Sequence, residues 1–370
     1  MIKIINGKVF TKEGFKKRNL YISGDKIVSG PGFGNTIDAS SCYVVPGFID
    51  GHTHGRAGVD IIKTDKDGLK KLSEEYLKTG VTTVFPTIMT APLDEIYEVI
   101  DNIKNTDTSK GSEFKGIHIE GPYISKDKPG CHDVSLIRKP EFSEIKEMCN
   151  SILPLMPRFT ISPETCEPGV FKKLTEIANI SIGHTNCTYE QAEQAVKDGA
   201  LSFTHTFNAM SPITHRNPGC AASALSSEAY AEFICDGLHV DFGVVKMSFK
   251  AKTKYTNKFA LITDSIPCAG LEDGDYEMNG IGFHLDKSGA KTPSGTLVGS
   301  TISMLDGLKN LVNKCGVNLY QAIESATKIP AEMLKLTDRG TLEKGQLADI
   351  LILNKNLEIV RVIKHGEILI

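Results

Sequence analysis

The chain lacks any Cys-x-x-Cys spacing: its 9 cysteines are odd in number and scattered from Cys42 to Cys315. Neither a thiolate zinc site nor a disulfide framework is suggested, and free thiols in a reducing compartment are the expectation. No apolar stretch approaches the ~20 residues of a membrane span. The start, Met1-Ile2-Lys3-Ile4-Ile5-Asn6-Gly7, turns too early for the hydrophobic region of a signal peptide. An excess of one charge is missing too. Against 42 Lys and Arg stand 45 Asp and Glu, a formal net charge of -3, with no clustered basic face of the kind nucleic-acid binding uses. These absences predict a cytoplasmic protein with neither nucleic acid nor membrane as partner.

What is there is 370 residues, 40% hydrophobic and 24% charged. That is enough for one barrel-sized domain and a smaller one. The N-terminal part reads as short strands: Lys3 to Phe10 broken by Asn6-Gly7, then Leu20 to Ile22 and Ile27-Val28 around the turn Ser23-Gly24-Asp25. The C-terminal part has the same texture in Ala348 to Leu353, Ile359 to Lys364 and Ile368 to Ile370. Two strand-rich ends predict one small β-sandwich domain, residues 1–46 with 336–370, around a middle domain of residues 47–335.

The middle alternates. Candidate strands are Val44–Asp50, Val81–Thr87, Gly116–Gly121, Arg158–Pro163, Ile180–His184, Ser202–Phe207, Glu232–Asp236 and Phe259–Asp264. Helical spacing fills the intervals at Leu69–Lys78, Leu93–Lys104, Phe142–Cys149, Val170–Ala178, Tyr189–Lys197, Cys220–Ser226 and Val244–Lys252. Thr301–Lys314 and Leu319–Ala326 follow. The pattern predicts an α/β fold, a (β/α)8 TIM-type barrel.

The first candidate strand runs into His52-Thr53-His54-Gly55. Side chains on a strand repeat every second residue, so both imidazoles face one side and converge on one point. Alone, such a pair is more often two partly exposed surface histidines than a metal site. Other strand ends supply its company: Glu120 in His118-Ile119-Glu120-Gly121-Pro122, His184 in Gly183-His184-Thr185, His205 in Thr204-His205-Thr206, and Asp264 after Thr263. A barrel gathers these carboxyl ends into one mouth. Imidazoles and carboxylates suit zinc and other divalent transition ions, and open coordination positions leave room for water or substrate. An unliganded carboxylate beside the ion can take a proton and return it, and Asp264 is the candidate. His118 lies one layer deeper than Glu120 and reads as an interior, hydrogen-bonded histidine.

The stretch Pro46-Gly47-Phe48-Ile49-Asp50-Gly51-His52-Thr53-His54-Gly55 resembles the amidohydrolase superfamily signature. Gly116-Ile117-His118-Ile119-Glu120-Gly121-Pro122, Thr204-His205-Thr206-Phe207-Asn208-Ala209-Met210, Asp236-Gly237-Leu238-His239 and Thr263-Asp264 are similar to the N-acetylglucosamine-6-phosphate deacetylase family within it. The resemblance runs over nearly the whole chain. Relatives that hydrolyse cyclic amides use a carboxylated lysine on the fourth strand, and here Arg158-Phe159-Thr160-Ile161-Ser162-Pro163-Glu164 offers none.

The resemblance implies that Glu120, His184 and His205 hold a principal metal ion. His52 and His54, with Glu120 and Asp264, would hold a second. One or two divalent ions follow, zinc first, with iron, manganese or cobalt as alternatives. It implies Asp264 as general base and acid, hydroxide attacking an acetamide, and His132 orienting the carbonyl. Cys131, His132, Asn208, Ala209, Arg216, His239, Leu297, Val298 and Gly299 would bind an amino-sugar phosphate. Arg216 would reach a neighbouring subunit's site, which implies a homodimer. Asn217 stands where the family carries glutamate, a departure beside Arg216. Loss of ligand residues would mark a silent barrel that only binds, and none is lost. The galacto epimer of the substrate would leave every one of these residues unchanged.

Overall fold

The computed structural model describes residues 1–30 and 34–370. Eight parallel strands lie side by side in chain order: β1 (Phe48–Thr53), β2 (Val81–Met89), β3 (Gly116–Glu120), β4 (Met156–Ile161), β5 (Asn179–Ile182), β6 (Ser202–Phe203), β7 (Tyr230–Ile234) and β8 (Phe259–Ile262). At the carboxyl rim β8 meets β1. The Asp264 amide donates to the His52 carbonyl at 2.9 Å, and Thr53 and Ser265 form a parallel bridge. The Thr263 hydroxyl donates to the Asp50 carboxylate at 2.5 Å, tying the same two strands inside the barrel.

Around the strands run α1 (Lys66–Lys78), α2 (Leu93–Lys104), α3 (Phe142–Ile152), α4 (Val170–Thr175), α5 (Tyr189–Lys197), α6 (Gly219–Ser226), α7 (Phe242–Tyr255) and α8 (Met304–Asn313), then α9 (Leu319–Ala326) and α10 (Lys328–Met333). The apolar stripe of α2, Ile96, Val99, Ile100 and Ile103, has the spacing that buries one helical face. Thr188 and Gln191 form a reciprocal capping box that starts α5. Such a box satisfies two amides that would otherwise lack partners, which fixes where the helix begins. Opposite the carboxyl rim, Ile49, Phe85 and Ala260 pack on Ile329, Met333 and Leu334 around α10. Asn179, at the start of β5, donates to the Met333 carbonyl at 2.9 Å, so this end is closed.

Strands from both termini build two further sheets. One has the order Lys26–Val28, Leu20–Ser23, Ile2–Ile5, Asn35–Asp38; the other runs Glu367–Ile368, Ile359–Lys364, Ile350–Leu353, Tyr43–Pro46, Lys8–Thr11, Gly14–Lys17. Ile4, Ile22, Val9, Val44, Leu351 and Ile363 are buried in the core these sheets share with the barrel helices. Between the second sheet and the barrel lies Arg339, whose guanidinium is 3.9 Å from Asp349, the residue before Ile350–Leu353, and donates to Thr83 at 2.8 Å and to Glu113 at 2.6 Å.

Three segments differ from the sequence expectation. The predicted strand Val44–Asp50 is two strands in different sheets, divided at Gly47, whose amide turns to the Asp349 carbonyl at 2.8 Å. A Cβ there would lie 2.2 Å from the Thr82 hydroxyl, so only glycine passes this crossing. The predicted strand Ser202–Phe207 stops at Phe203, because His205, Phe207 and Ala209 take left-handed φ of 29°, 82° and 46°. Between β8 and α8 an unpredicted antiparallel insert, Gly274–Met278, Ile281–Asp286 and Gly289–Lys291, stands at the barrel mouth.

Candidate metal centre and active-site cavity

Every ligand candidate sits at or just beyond the carboxyl end of a barrel strand, and all are buried. His184, His205 and Asp264 have left-handed φ of 47°, 29° and 50°. Such backbone is costly for residues with a Cβ and persists where surrounding structure imposes it, a common mark of functional sites.

Glu120 divides the cluster. One carboxylate oxygen, Oε1, lies 2.9 Å from His205 Nε2 and 3.3 Å from His184 Nε2. The other, Oε2, lies 3.1 Å from His54 Nε2 and 3.3 Å from His52 Nε2. Asp264 Oδ1 closes the second half at 3.2 Å from His54 and 3.4 Å from His52. Two ligand groups thus share Glu120: His52, His54 and Glu120, and Glu120, His184 and His205.

The residues fit a divalent ion on their own chemistry. His184 and His205 bring Nε2 atoms to 3.0 Å, and His52 and His54 bring theirs to 3.2 Å. With the rings deprotonated, as metal binding requires, these lone pairs would repel at such distances, and a cation between them would remove the repulsion. Glu120 is held well below the ordinary carboxylate range: burial raises its pKa, but His52 and the hydrogen bonds from His184 and His205 outweigh it. Asp264 is lowered likewise, with burial overcome by His52 and His54. Deprotonated carboxylates are what a metal site needs.

Behind the cluster lies a charged layer that sequence reasoning missed. Arg158 on β4 and Glu232 on β7 are fully buried and joined by a short ion pair. Arg158 also donates to the Gly51 carbonyl at 2.6 Å, and Glu232 Oε2 lies 3.8 Å from His52 Nδ1. No periodicity reveals that these two polar strand residues point inward at each other. His118 takes its expected interior place, 2.8 Å from the Thr160 hydroxyl and 3.2 Å from that of Thr87.

A cavity of about 430 Å³ opens over the cluster. It is lined by His54, Glu120, His184, His205 and Asp264, and by Cys131, His132, Asn208, Ala209, His239, Leu297, Val298 and Gly299. Met89, Lys128 and Thr296 also line it and were not singled out from sequence. Burial pushes the Cys131 thiol up to about 12, so it stays neutral rather than becoming a thiolate nucleophile. Burial lowers the His239 pKa, but the Asp236 carboxylate 2.6 Å from its Nδ1 overrides this and leaves it raised. Arg216 does not line this cavity. It is exposed, with Nη1 2.8 Å from His215 Nε2, and lines a separate hollow with Asn186, Tyr189 and Asn217.

A buried cluster of imidazoles and carboxylates at the carboxyl mouth of a (β/α)8 barrel defines a metal-dependent hydrolase scaffold. The amidohydrolase family model matches residues 43–369, and the chain belongs to that family. Its relatives narrow the class. The chain is 32% identical to the N-acetylglucosamine-6-phosphate deacetylase of Lysinibacillus sphaericus, over 90% of this chain and 87% of that one. It is 29% identical to the N-acetylgalactosamine-6-phosphate deacetylase of Escherichia coli O157:H7, over 87% and 86%. An alanine mutant of the N-acetyl-D-glucosamine-6-phosphate deacetylase from Mycobacterium smegmatis, solved in complex with N-acetyl-D-glucosamine-6-phosphate, superposes with a TM-score of 0.90 at 27% identity, covering 100% of this chain and 99% of that one.

Proposed function

We propose that the protein hydrolyses the acetamide of N-acetyl-D-glucosamine 6-phosphate to D-glucosamine 6-phosphate and acetate. The observation that carries this reading is Glu120, His184 and His205 converging beside Asp264 at the floor of a cavity, in a chain whose relatives are such deacetylases. Glu120, His184 and His205 hold the principal divalent ion, zinc in our reading; His52 and His54, with Glu120 and Asp264, hold a second. The ion supplies Lewis acidity and makes water nucleophilic at neutral pH.

The chain's own groups do the rest. Asp264, kept ionised, accepts the proton of the attacking water and delivers it to the departing nitrogen. His132 donates to the carbonyl oxygen as negative charge grows there. His239, Asn208 and the backbone at Ala209 receive the phosphate, while Cys131, Leu297, Val298 and Gly299 wall the sugar. The exposed Arg216, remote from its own chain's cavity, serves the neighbouring subunit of a homodimer. Residues 1–46 and 336–370 form the small β-sandwich domain, and residues 47–335 carry the chemistry. No helix is long and apolar enough to cross a membrane among the described residues, and we place the protein in the cytoplasm.

The test is acetate release from four sugars: N-acetylglucosamine and N-acetylgalactosamine, each with and without the 6-phosphate. The reading expects fast release from the gluco phosphate and much slower release from the unphosphorylated pair. Equal rates with and without phosphate would remove the phosphate assignment, and preference for the galacto epimer would move the protein to that substrate.

A further inference from the structure

Thr90 directly follows β2, is buried, and commits its amide and hydroxyl to one atom. Its amide N–H points at His132 Nδ1 across 3.4 Å, and its hydroxyl lies 2.8 Å from the same nitrogen. Its carbonyl accepts from Asn279 Nδ2 at 3.2 Å, and Asn279 sits in the turn between the first two strands of the insert. Thr90 is therefore held from both sides. A glycine makes the contact possible: Gly121, next to Glu120, has φ of 84°, and a Cβ there would lie 2.0 Å from the Thr90 hydroxyl and 3.3 Å from His132 Nδ1.

This arrangement selects one form of the imidazole. The amide hydrogen is fixed by the backbone, so a proton on Nδ1 would meet it head-on. A proton there would also leave the Thr90 hydroxyl without an acceptor among the described residues, a buried polar group left unmade. Nδ1 must accept. A neutral imidazole that accepts at Nδ1 carries its hydrogen on Nε2. That nitrogen faces Glu120 Oε2 at 3.8 Å and the cavity. A ring whose Nδ1 accepts from both the amide and the hydroxyl of Thr90 cannot be the doubly protonated imidazolium, so the choice of tautomer matters.

We propose that Thr90 is a positioning residue that fixes His132 as the Nε2–H tautomer, so that the ring presents a donor to the substrate's carbonyl oxygen. The opposite tautomer would aim a lone pair at both the Glu120 carboxylate and the developing oxyanion. The functional half of this assignment rests on the acetamide reading above; the tautomer does not.

The experiment uses metal-loaded protein carrying nitrogen-labelled histidine, with the His132 signals identified by their loss in His132→Gln. Long-range proton–nitrogen correlations show which ring nitrogen bears hydrogen. The wild type and Thr90→Ser should show a bare Nδ1 and a protonated Nε2, and Thr90→Val should shift toward the other form. In parallel, Thr90→Val should lower kcat for the sugar phosphate ~10–100-fold with KM within ~2-fold, while Thr90→Ser, which keeps the hydroxyl, should hold kcat within ~3-fold. A merely structural role would reduce folded fraction without moving the tautomer. A protonated Nδ1 in the wild type overturns the proposal, as does an undiminished kcat in Thr90→Val. If Thr90→Val does not fold, the wild-type spectrum and Thr90→Ser decide. Failure of the wild type to release acetate from any of the sugars would sink the deacetylase reading instead, while the spectrum still reports the tautomer.

Discussion

Asp264→Asn separates metal binding from proton transfer. The substitution preserves shape but gives an amide that cannot carry a proton at neutral pH. In the structure Asp264 Oδ1 lies 3.2 Å from His54 and 3.4 Å from His52, and the group of Glu120, His184 and His205 is complete without it. The principal ion should therefore stay, and the second ion should bind more weakly. Turnover loses both the acceptance of a proton from water and its delivery to the leaving nitrogen. General acid–base catalysis contributes ~10²–10⁴-fold, so kcat should fall by that factor, a barrier rise of about 3–5 kcal/mol. KM should change little, since the carboxylate acts in the transition state rather than in ground-state binding. The assay is initial-rate acetate release at saturating N-acetylglucosamine 6-phosphate, with metal content measured on the same sample. A kcat within ~3-fold of wild type would remove Asp264 from proton transfer. Loss of all bound metal would instead refute the assignment of the principal ligands.

Further outcomes follow from the same geometry. Arg158→Met leaves the Glu232 carboxylate buried without its partner and should cost about 3–5 kcal/mol in denaturant unfolding, whereas Arg158→Met with Glu232→Met should recover most of that loss; equal losses in the single and double variants would contradict a coupled pair. Glu113 has a depressed pKa because His365 and Arg339 outweigh its burial. A carboxylate depressed in the folded state contributes stability that is present above its unfolded value, near the ordinary 4.5, and is lost as pH falls below it. Glu113→Gln should therefore lower stability at neutral pH and flatten its decline below that value, and an unchanged acid limb would refute the role. Gly121→Ala should drive Thr90 and His132 apart and reduce kcat more than metal content, since its Cβ would overlap the Thr90 hydroxyl. His52→Gln with His54→Gln should lower the metal-to-protein ratio by one ion in protein that otherwise binds two; an unchanged ratio would remove them as ligands.

The fold was legible where local rules decide it. The spacing of α2, and the spacing and N-caps of α5 and α9, place their boundaries at the residues read from the sequence, because an amphipathic stripe, with Thr188 or Asn318 at the start of the latter two, is a local signal. β6 was read too long, since Thr204-His205-Thr206-Phe207, with two β-branched residues and an aromatic, carries no mark of the left-handed backbone at His205 and Phe207. The site divides the same way. His52, His54, Glu120, His184, His205 and Asp264 stand at strand ends, and barrel topology alone predicts that strand ends converge. Thr90, Arg158 and Glu232 gain their places from neighbours 42 and 74 residues away in sequence, pairings that no local pattern encodes.

In our proposal a divalent ion held by Glu120, His184 and His205 is required for deacetylation. The direct measurement is acetate release from N-acetylglucosamine 6-phosphate by protein stripped with a chelator, shown free of transition metal, and then titrated with zinc. Activity should vanish on stripping and return as the first equivalent binds, with Glu120→Gln failing to recover it. Undiminished turnover by the metal-free protein would contradict the account.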